Sequence, residues 1–188
     1  MIINLIRHGM SEANQKRLYC GATDAPLCDE GRRGLYTLKQ TVSYPIANIF
    51  ITSGLLRTNE TLMILYGRAA DFIIEELREM NFGDFEMKSH DDLNDLPAYR
   101  QWINDIDNLA CPGGESKAAF NVRVKAGFEQ LLNLEAESAT AVCHGGTIAT
   151  VMEHVFPGRK NYYEWLPAYG RGYTFEYAAG RAECYRAI

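Results

Sequence analysis

Ile2-Ile3-Asn4-Leu5-Ile6-Arg7-His8-Gly9 opens apolar and β-branched around a single Asn4, then turns at once to charge and glycine. Such a run reads as a buried strand feeding a loop, which sets Arg7 and His8 at the strand's C-terminal end. The pattern returns far down the chain. There Ala139 to Cys143 makes a strand that runs into His144-Gly145-Gly146, with a helix from Thr147 to Phe156 behind it.

Between these two points the pattern alternates. Asp29 to Tyr44 reads as a helix capped by Asp29, with Leu35, Leu38 and Val42 at helical spacing, and Ala47 to Thr52 as a strand. A short helix from Leu55 to Leu65, a strand from Asp71 to Ile74 and a loop from Leu77 to Glu86 follow. Glu115 to Leu134 carries the longest helical pattern, with Phe120, Val124, Phe128, Leu131 and Leu132 on one face. The chain ends in a hairpin of Tyr173 to Tyr177 and Ala182 to Arg186 about a turn containing Gly180. Strands alternating with helices predict an α/β fold, a three-layer α/β/α sandwich with a mainly parallel central sheet and helices on both faces.

With 188 residues, 47% of them hydrophobic, the chain fits a single domain spanning 1–188. The irregular, partly helical stretch 87–112, with Tyr99 and Trp102 among polar residues, reads as a lid-like insertion. A formal charge of -5 argues against nucleic-acid or anionic-membrane partners and leaves a small anionic substrate met by locally gathered basic groups. Cys20, Cys28, Cys111, Cys143 and Cys184 are odd in number and scattered, which suits free thiols in the cytoplasm. The start has too short an apolar run for a secretory signal. No segment approaches the roughly 20 apolar residues that span a bilayer.

In folds of this kind ligands collect beyond the carboxyl ends of the strands. Three groups stand there: Arg7-His8-Gly9, Ser53 to Arg57, and His144-Gly145-Gly146. Guanidinium forks bind phosphate oxygens in pairs, and imidazole serves as nucleophile, acid or donor. Glycine lets backbone N–H groups approach an anion, aided by the positive end of the helix that begins near Thr147. The four histidines (His8, His90, His144, His154) show no close ligand pair and the cysteines no zinc spacing, so no metal or cofactor is expected.

Arg7-His8-Gly9, Leu55-Leu56-Arg57-Thr58, Leu77-Arg78-Glu79 with Phe82-Gly83, Gly113-Gly114-Glu115-Ser116 and His144-Gly145-Gly146, in that order, resemble the histidine phosphatase superfamily in its phosphoglycerate-mutase-like branch. The resemblance implies a phosphohistidine formed on His8, with Arg7, Arg57 and His144 around the phosphoryl group and Glu79 as general acid. Glu75, Glu76 and Glu86 are local rivals of Glu79: the first two read as solvated, and Glu86 as a loop-orienting group. Asn14 and Arg17 match positions that help hold phosphate, Ser53 precedes the second arginine as family serines do, and Gly145 adds a close-approach backbone. Met10 and Ser11 depart from the usual acidic residue and threonine, and Arg33-Gly34 from glutamine-alanine.

The run from Leu77 to Met87, with Trp102 further on, is similar to bacterial α-ribazole phosphatases of cobalamin biosynthesis. This resemblance implies a metal-independent phosphomonoesterase acting on α-ribazole 5'-phosphate or a related small ester. Tyr99, Trp102 and Phe85 either stack on the substrate's planar base or pack the lid's own core. The alternatives are a broad-specificity phosphatase, a phosphoglycerate mutase, and an inactive phospholigand-binding protein.

Overall fold

The computed structural model describes residues 1–188. In chain order the elements are β1 (Ile2–Arg7), α1 (Glu12–Gln15), α2 (Asp29–Thr41), β2 (Ile49–Thr52), α3 (Leu56–Tyr66), β3 (Phe72–Ile73), α4 (His90–Leu93), α5 (Pro97–Asn104), α6 (Lys117–Leu132), β4 (Ser138–Cys143), α7 (Gly145–Val155), β5 (Gly172–Glu176) and β6 (Tyr185–Ala187). They form one six-stranded sheet of order β3-β2-β4-β1-β5-β6. The first four are mutually parallel, whereas β5 runs antiparallel to β1 and β6 antiparallel to β5.

Alternation along the central strands feeds two cores. Ile3, Leu5, Ile51, Ala139, Ala141 and Cys143 join Phe120, Val124 and Phe128 of α6 and Ile148 and Met152 of α7 on one face. Ile6, Phe50 and Val142 join Leu35 of α2 and Leu62 and Leu65 of α3 on the other. That is the expected arrangement for a central strand buried on both sides. The one polar residue of β1, Asn4, is wholly buried and fully engaged: its amide donates to Ala139 O (3.3 Å) and Thr140 Oγ1 (3.1 Å), and its oxygen accepts from Thr174 Oγ1 (2.8 Å).

Where boundaries differ from expectation, side-chain bonding explains the shift. The cap of α2 is Cys28, whose sulfur accepts from Gly31 N (3.3 Å), while Asp29 occupies the first helical position. The helix stops at Thr41 because Tyr44 leaves to donate its hydroxyl to Gly170 O (2.7 Å). Ser116 caps α6 by accepting from Ala119 N, and Glu115 turns away to pair with Arg123. The final hairpin closes on Ala178 and Arg181, so β6 starts only at Tyr185. Within 87–112, α4 and α5 send Leu93, Tyr99 and Trp102 into the larger core, joined by Cys111 from the loop that follows. All five cysteines are free thiols. No helix is long and apolar enough to cross a membrane.

Candidate active site

The parallel strands β1, β2 and β4 end on one edge of the sheet, and each delivers a polar residue there. Arg7 is in register with Cys143, so the next residues, His8 and His144, lie side by side with ring centroids 5.1 Å apart. His8 Nδ1 lies 2.6 Å from Gly9 O, which can only accept. Nδ1 therefore carries the proton, and in the neutral ring Nε2 holds a lone pair. Burial pushes the His8 pKa well below 6.5, and the Arg57 guanidinium, then Arg7, push the same way against the Gly9 bond. A neutral imidazole with a bare Nε2 is the form a nucleophile needs.

His144, the residue before α7, is wholly buried. Arg57 Nε donates to its Nδ1 (3.3 Å), and a guanidinium cannot accept, so Nδ1 is bare and Nε2 carries the hydrogen. Nε2 then donates to Ser53 Oγ (2.8 Å), Ser53 passes its own hydrogen toward Thr58 Oγ1 (3.3 Å), and Thr58 donates to Leu55 O (2.7 Å). Ser53, expected against phosphate, is engaged here by His144, whose tautomer the Arg57 bond fixes. Burial first, then Arg57, His8 and the other guanidinium groups hold the His144 pKa well below 6.5.

These two histidines link folding to pH. Unfolded, both take up a proton as pH falls through about 6.5. Folded, neither does so until well below that value. The unfolded chain thus binds more protons over this window, and stability falls as pH drops below about 6.5. Thermal melts should show Tm decreasing with acidification from neutrality, with a shallower slope in His8→Asn; an unchanged slope would contradict the buried neutral imidazole.

Arg57, in the first turn of α3 and 1% exposed, gives Nη1 to Thr23 O and Nη2 to Gly21 O, both at 2.7 Å. With Nε on His144, three of its five N–H groups are used and two remain for a ligand. The accepting loop is held by Glu86, whose carboxylate takes the N–H groups of Gly21, Ala22, Thr23 and Phe82 and the Thr23 hydroxyl. Glu86 thus orients the loop that aims Arg57. Gly21 is required here, because a Cβ would come within 1.6 Å of Met80 O.

Arg7 donates Nη1 to Pro167 O (2.8 Å), and its guanidinium carbon lies 4.3 Å from the centre of the Tyr169 ring. Its Nε is buried with no protein partner. Glu79 accepts from Met80 N on one oxygen (3.0 Å) and from Gly146 N on the other (2.9 Å), which brings it to the first turn of α7. A Cβ on Gly145 would meet Arg7 Cζ at 3.1 Å, and one on Gly146 would meet Glu79 Oε1 at 2.3 Å. Glycine at both positions admits Arg7 and Glu79 to the helix terminus.

Arg7, Glu79, Gly145 and Gly146 line one cavity of about 380 Å³. The rest of its wall is largely apolar, with Tyr19, Phe82, Trp102, Ile103, Ile106 and Tyr162 prominent. Trp102 touches this wall but is only 1% exposed, and it packs with Phe85 and Tyr99, equally buried, whose ring centroids are 5.4 Å apart, so of the two expected uses of these rings the structure shows core packing. Phe82 belongs to the Leu77 to Met87 run singled out in the sequence, whereas Tyr19, Tyr162 and Tyr169 carried no sequence signal beyond being aromatic.

The remaining candidates are placed as follows. Asn14 gives its oxygen to Ser11 N and Oγ in the capping box of α1, which is the use this chain makes of its departure at Ser11. Arg17 is exposed at a left-handed φ of 56° and lines no part of the cavity. Glu75 is exposed and paired with Arg78, whose Nε holds Ser53 O (3.1 Å). Cys143 is wholly buried in the core with its thiol pushed up to about 12, consistent with packing and not with a nucleophile. No three His, Cys, Asp or Glu side chains converge as a metal-ligand set.

Comparison with known proteins gives relatives for the whole fold. An adenosylcobalamin/α-ribazole phosphatase of Salmonella typhimurium is 33% identical over 153 residues, covering 79% of this chain and 76% of its own. The crystal structure of the α-ribazole phosphatase from Shigella flexneri superposes with a TM-score of 0.86 at 27% identity, covering 97% of this chain and 93% of its own. That of a phosphoglycerate mutase from Thermus thermophilus gives 0.75 at 29% identity, covering 100% and 99%. Residues 3–185 match the model of the histidine phosphatase superfamily (branch 1), and the chain belongs to that family.

Proposed function

We propose that this chain is a phosphomonoesterase that works through a phosphohistidine on His8 and that its substrate is α-ribazole 5'-phosphate. The observation that carries the chemistry is the neutral His8 with its bare Nε2, beside two guanidinium groups. Nε2 attacks phosphorus, the phosphorus–oxygen ester bond breaks, and the leaving oxygen takes a proton from the Glu79 carboxyl group. Water then attacks the phosphohistidine and the phosphorus–nitrogen bond breaks. The carboxylate of Glu79 takes the water's proton, and inorganic phosphate leaves. Arg7, the two unused N–H groups of Arg57 and the α7 terminus hold the charge on the transferring group, which is most of what catalysis of phosphoryl transfer requires.

The shape of the cavity supports the substrate. An aromatic and aliphatic wall beside Arg7 and Glu79 suits a planar apolar base carried on a phosphorylated sugar, and the Salmonella and Shigella relatives bear that activity in their names. A small, highly charged ester such as 3-phosphoglycerate would leave that wall unfilled. The segment 87–112 contributes Trp102, Ile103 and Ile106 to the cavity wall, which supports a role for it in covering the substrate. Five free thiols suit a reducing compartment such as the cytoplasm, and a net charge of -5 suits a small-molecule substrate better than nucleic acid or an anionic membrane.

A substrate panel in chelator tests this reading. We expect kcat/KM for α-ribazole 5'-phosphate to exceed that for 3-phosphoglycerate by about 10²-fold, or ~2.7 kcal/mol, with turnover unaffected by chelator. Equal rates on all small esters would indicate a broad-specificity phosphatase, and loss of activity in chelator would overturn the mechanism.

A further inference from the structure

Glu79 stands in a stretch with little regular structure of its own. After a single 3-10 turn at Glu75–Leu77 the chain runs extended through Arg78 before the next 3-10 turn at Gly83–Phe85. A carboxyl group that must meet a leaving oxygen needs a fixed backbone, and here one side chain from α6 supplies the grip. Arg123 Nη1 donates to Glu76 O (2.9 Å) and Arg78 O (3.0 Å), and Nη2 to Glu79 O (3.1 Å). Its remaining reach goes to Glu115 as a two-pronged pair, Nε to Oε1 and Nη2 to Oε2, both 2.7 Å.

Glu115 in turn holds the far end of the same loop. Its Oε2 accepts from Asn81 N (2.8 Å) and its backbone N–H donates to Asn81 O (2.9 Å). Burial alone would raise the Glu115 pKa, but the bonds from Arg123 and Asn81 outweigh it and hold the group ionised. One turn further along α6, Gly127 brings the helix so near that a Cβ would lie 2.8 Å from Glu76 Cβ. The ion pair therefore spans residues 76 to 81 from both ends.

We propose that Arg123, locked by Glu115, is a positioning residue for Glu79, and that it acts on the proton-transfer step of the reaction and not on phosphate binding. This rests on the assignment of Glu79 as the proton donor. Lysine at this position keeps the charge but offers one point donor where a rigid fork now serves three carbonyls and a carboxylate. A displacement of about 1 Å at a reacting group costs about 10²-fold in rate.

The test compares Arg123→Lys with Glu79→Gln on two substrates, p-nitrophenyl phosphate, whose leaving group departs without a proton, and an alkyl phosphate, whose leaving group needs one. In Arg123→Lys, kcat/KM on the alkyl ester should fall by about 10²-fold and on the nitrophenyl ester by less than about threefold, because kcat/KM reads the steps up to loss of the leaving group, ahead of the water attack in which Glu79 serves both esters, and only the alkyl ester draws on general-acid catalysis there. Added to Glu79→Gln, the Arg123→Lys change should produce little further loss, as expected for two groups acting through one step. Equal slowing of both esters, or fully additive losses, would overturn the positioning role. A Glu79→Gln enzyme without leaving-group preference would instead overturn the role of Glu79, and is seen before the second variant is interpreted. If Arg123→Lys does not fold, Glu115→Gln carries the same comparison, with the same preference expected at about tenfold.

Discussion

His8→Asn lowers kcat on every phosphate ester by at least about 10⁴-fold, the scale on which loss of a nucleophile registers when it acts as part of a unit. Asparagine is the informative replacement because its amide can still donate toward Gly9 O, where His8 Nδ1–H now lies at 2.6 Å. The pocket is then retained while the bare Nε2 is lost. Burial of the residue is tolerated as well, since a neutral amide replaces a ring that is itself held neutral. Steady-state kinetics with a matched thermal melt checks this result. Residual turnover within about tenfold of the parent would mean that another group attacks phosphorus.

Arg57→Ala is expected to lower kcat by about 10³- to 10⁵-fold, the range over which a single arginine stabilises a transferring phosphoryl group in other enzymes. Three separate losses converge on this change. The two N–H groups left for the ligand disappear, Gly21 O and Thr23 O lose their donors, and His144 Nδ1 loses the bond that fixes its tautomer. Each buried acceptor left without a donor costs ~1–3 kcal/mol, so Tm should fall with the activity. A further consequence has a defined sign. Arg57 is the largest charge holding the His8 pKa down, so its removal lets that pKa rise, and any residual activity should be lost at higher pH on the acid side. A pH profile of kcat/KM on the variant reads this directly, and addition of guanidine to the medium should restore part of the rate. An Arg57→Ala enzyme within about tenfold of the parent would place the guanidinium outside the reaction.

What could be seen in the sequence was what chemistry writes locally. The step from Ile6 to Arg7-His8 and from Cys143 to His144-Gly145 marks a strand end and a polar group in adjacent letters, so both strands and both histidines were legible. So was the mainly parallel sheet, since its strands alternate with helices of readable period. The elements that escaped notice are short or depend on distant partners. Helices α1 and α4 have four residues each, too few to show a period. Tyr169 beneath Arg7, the loop that Glu86 ties to Arg57, and the Arg123 grip on Glu79 all join residues far apart in the chain. Ser53 was singled out by its place before Arg57, but its bond to His144 depends on β2 lying next to β4. The aromatic wall was half legible for the same reason. Trp102, Phe85 and Tyr99 pack on one another in the core, and only an edge of Trp102 borders the cavity, which depends on how the segment docks on the rest of the domain.

The whole mechanism turns on a covalent bond between phosphorus and His8 Nε2. It is tested by mixing the enzyme with a limiting amount of isotopically labelled α-ribazole 5'-phosphate, quenching in alkali within one turnover, and mapping the label by mass spectrometry. The mechanism predicts an acid-labile, alkali-stable phosphoryl group on the peptide carrying His8, absent from His8→Asn. Release of phosphate within that turnover with no label on the protein, or with label on any other residue, would contradict it.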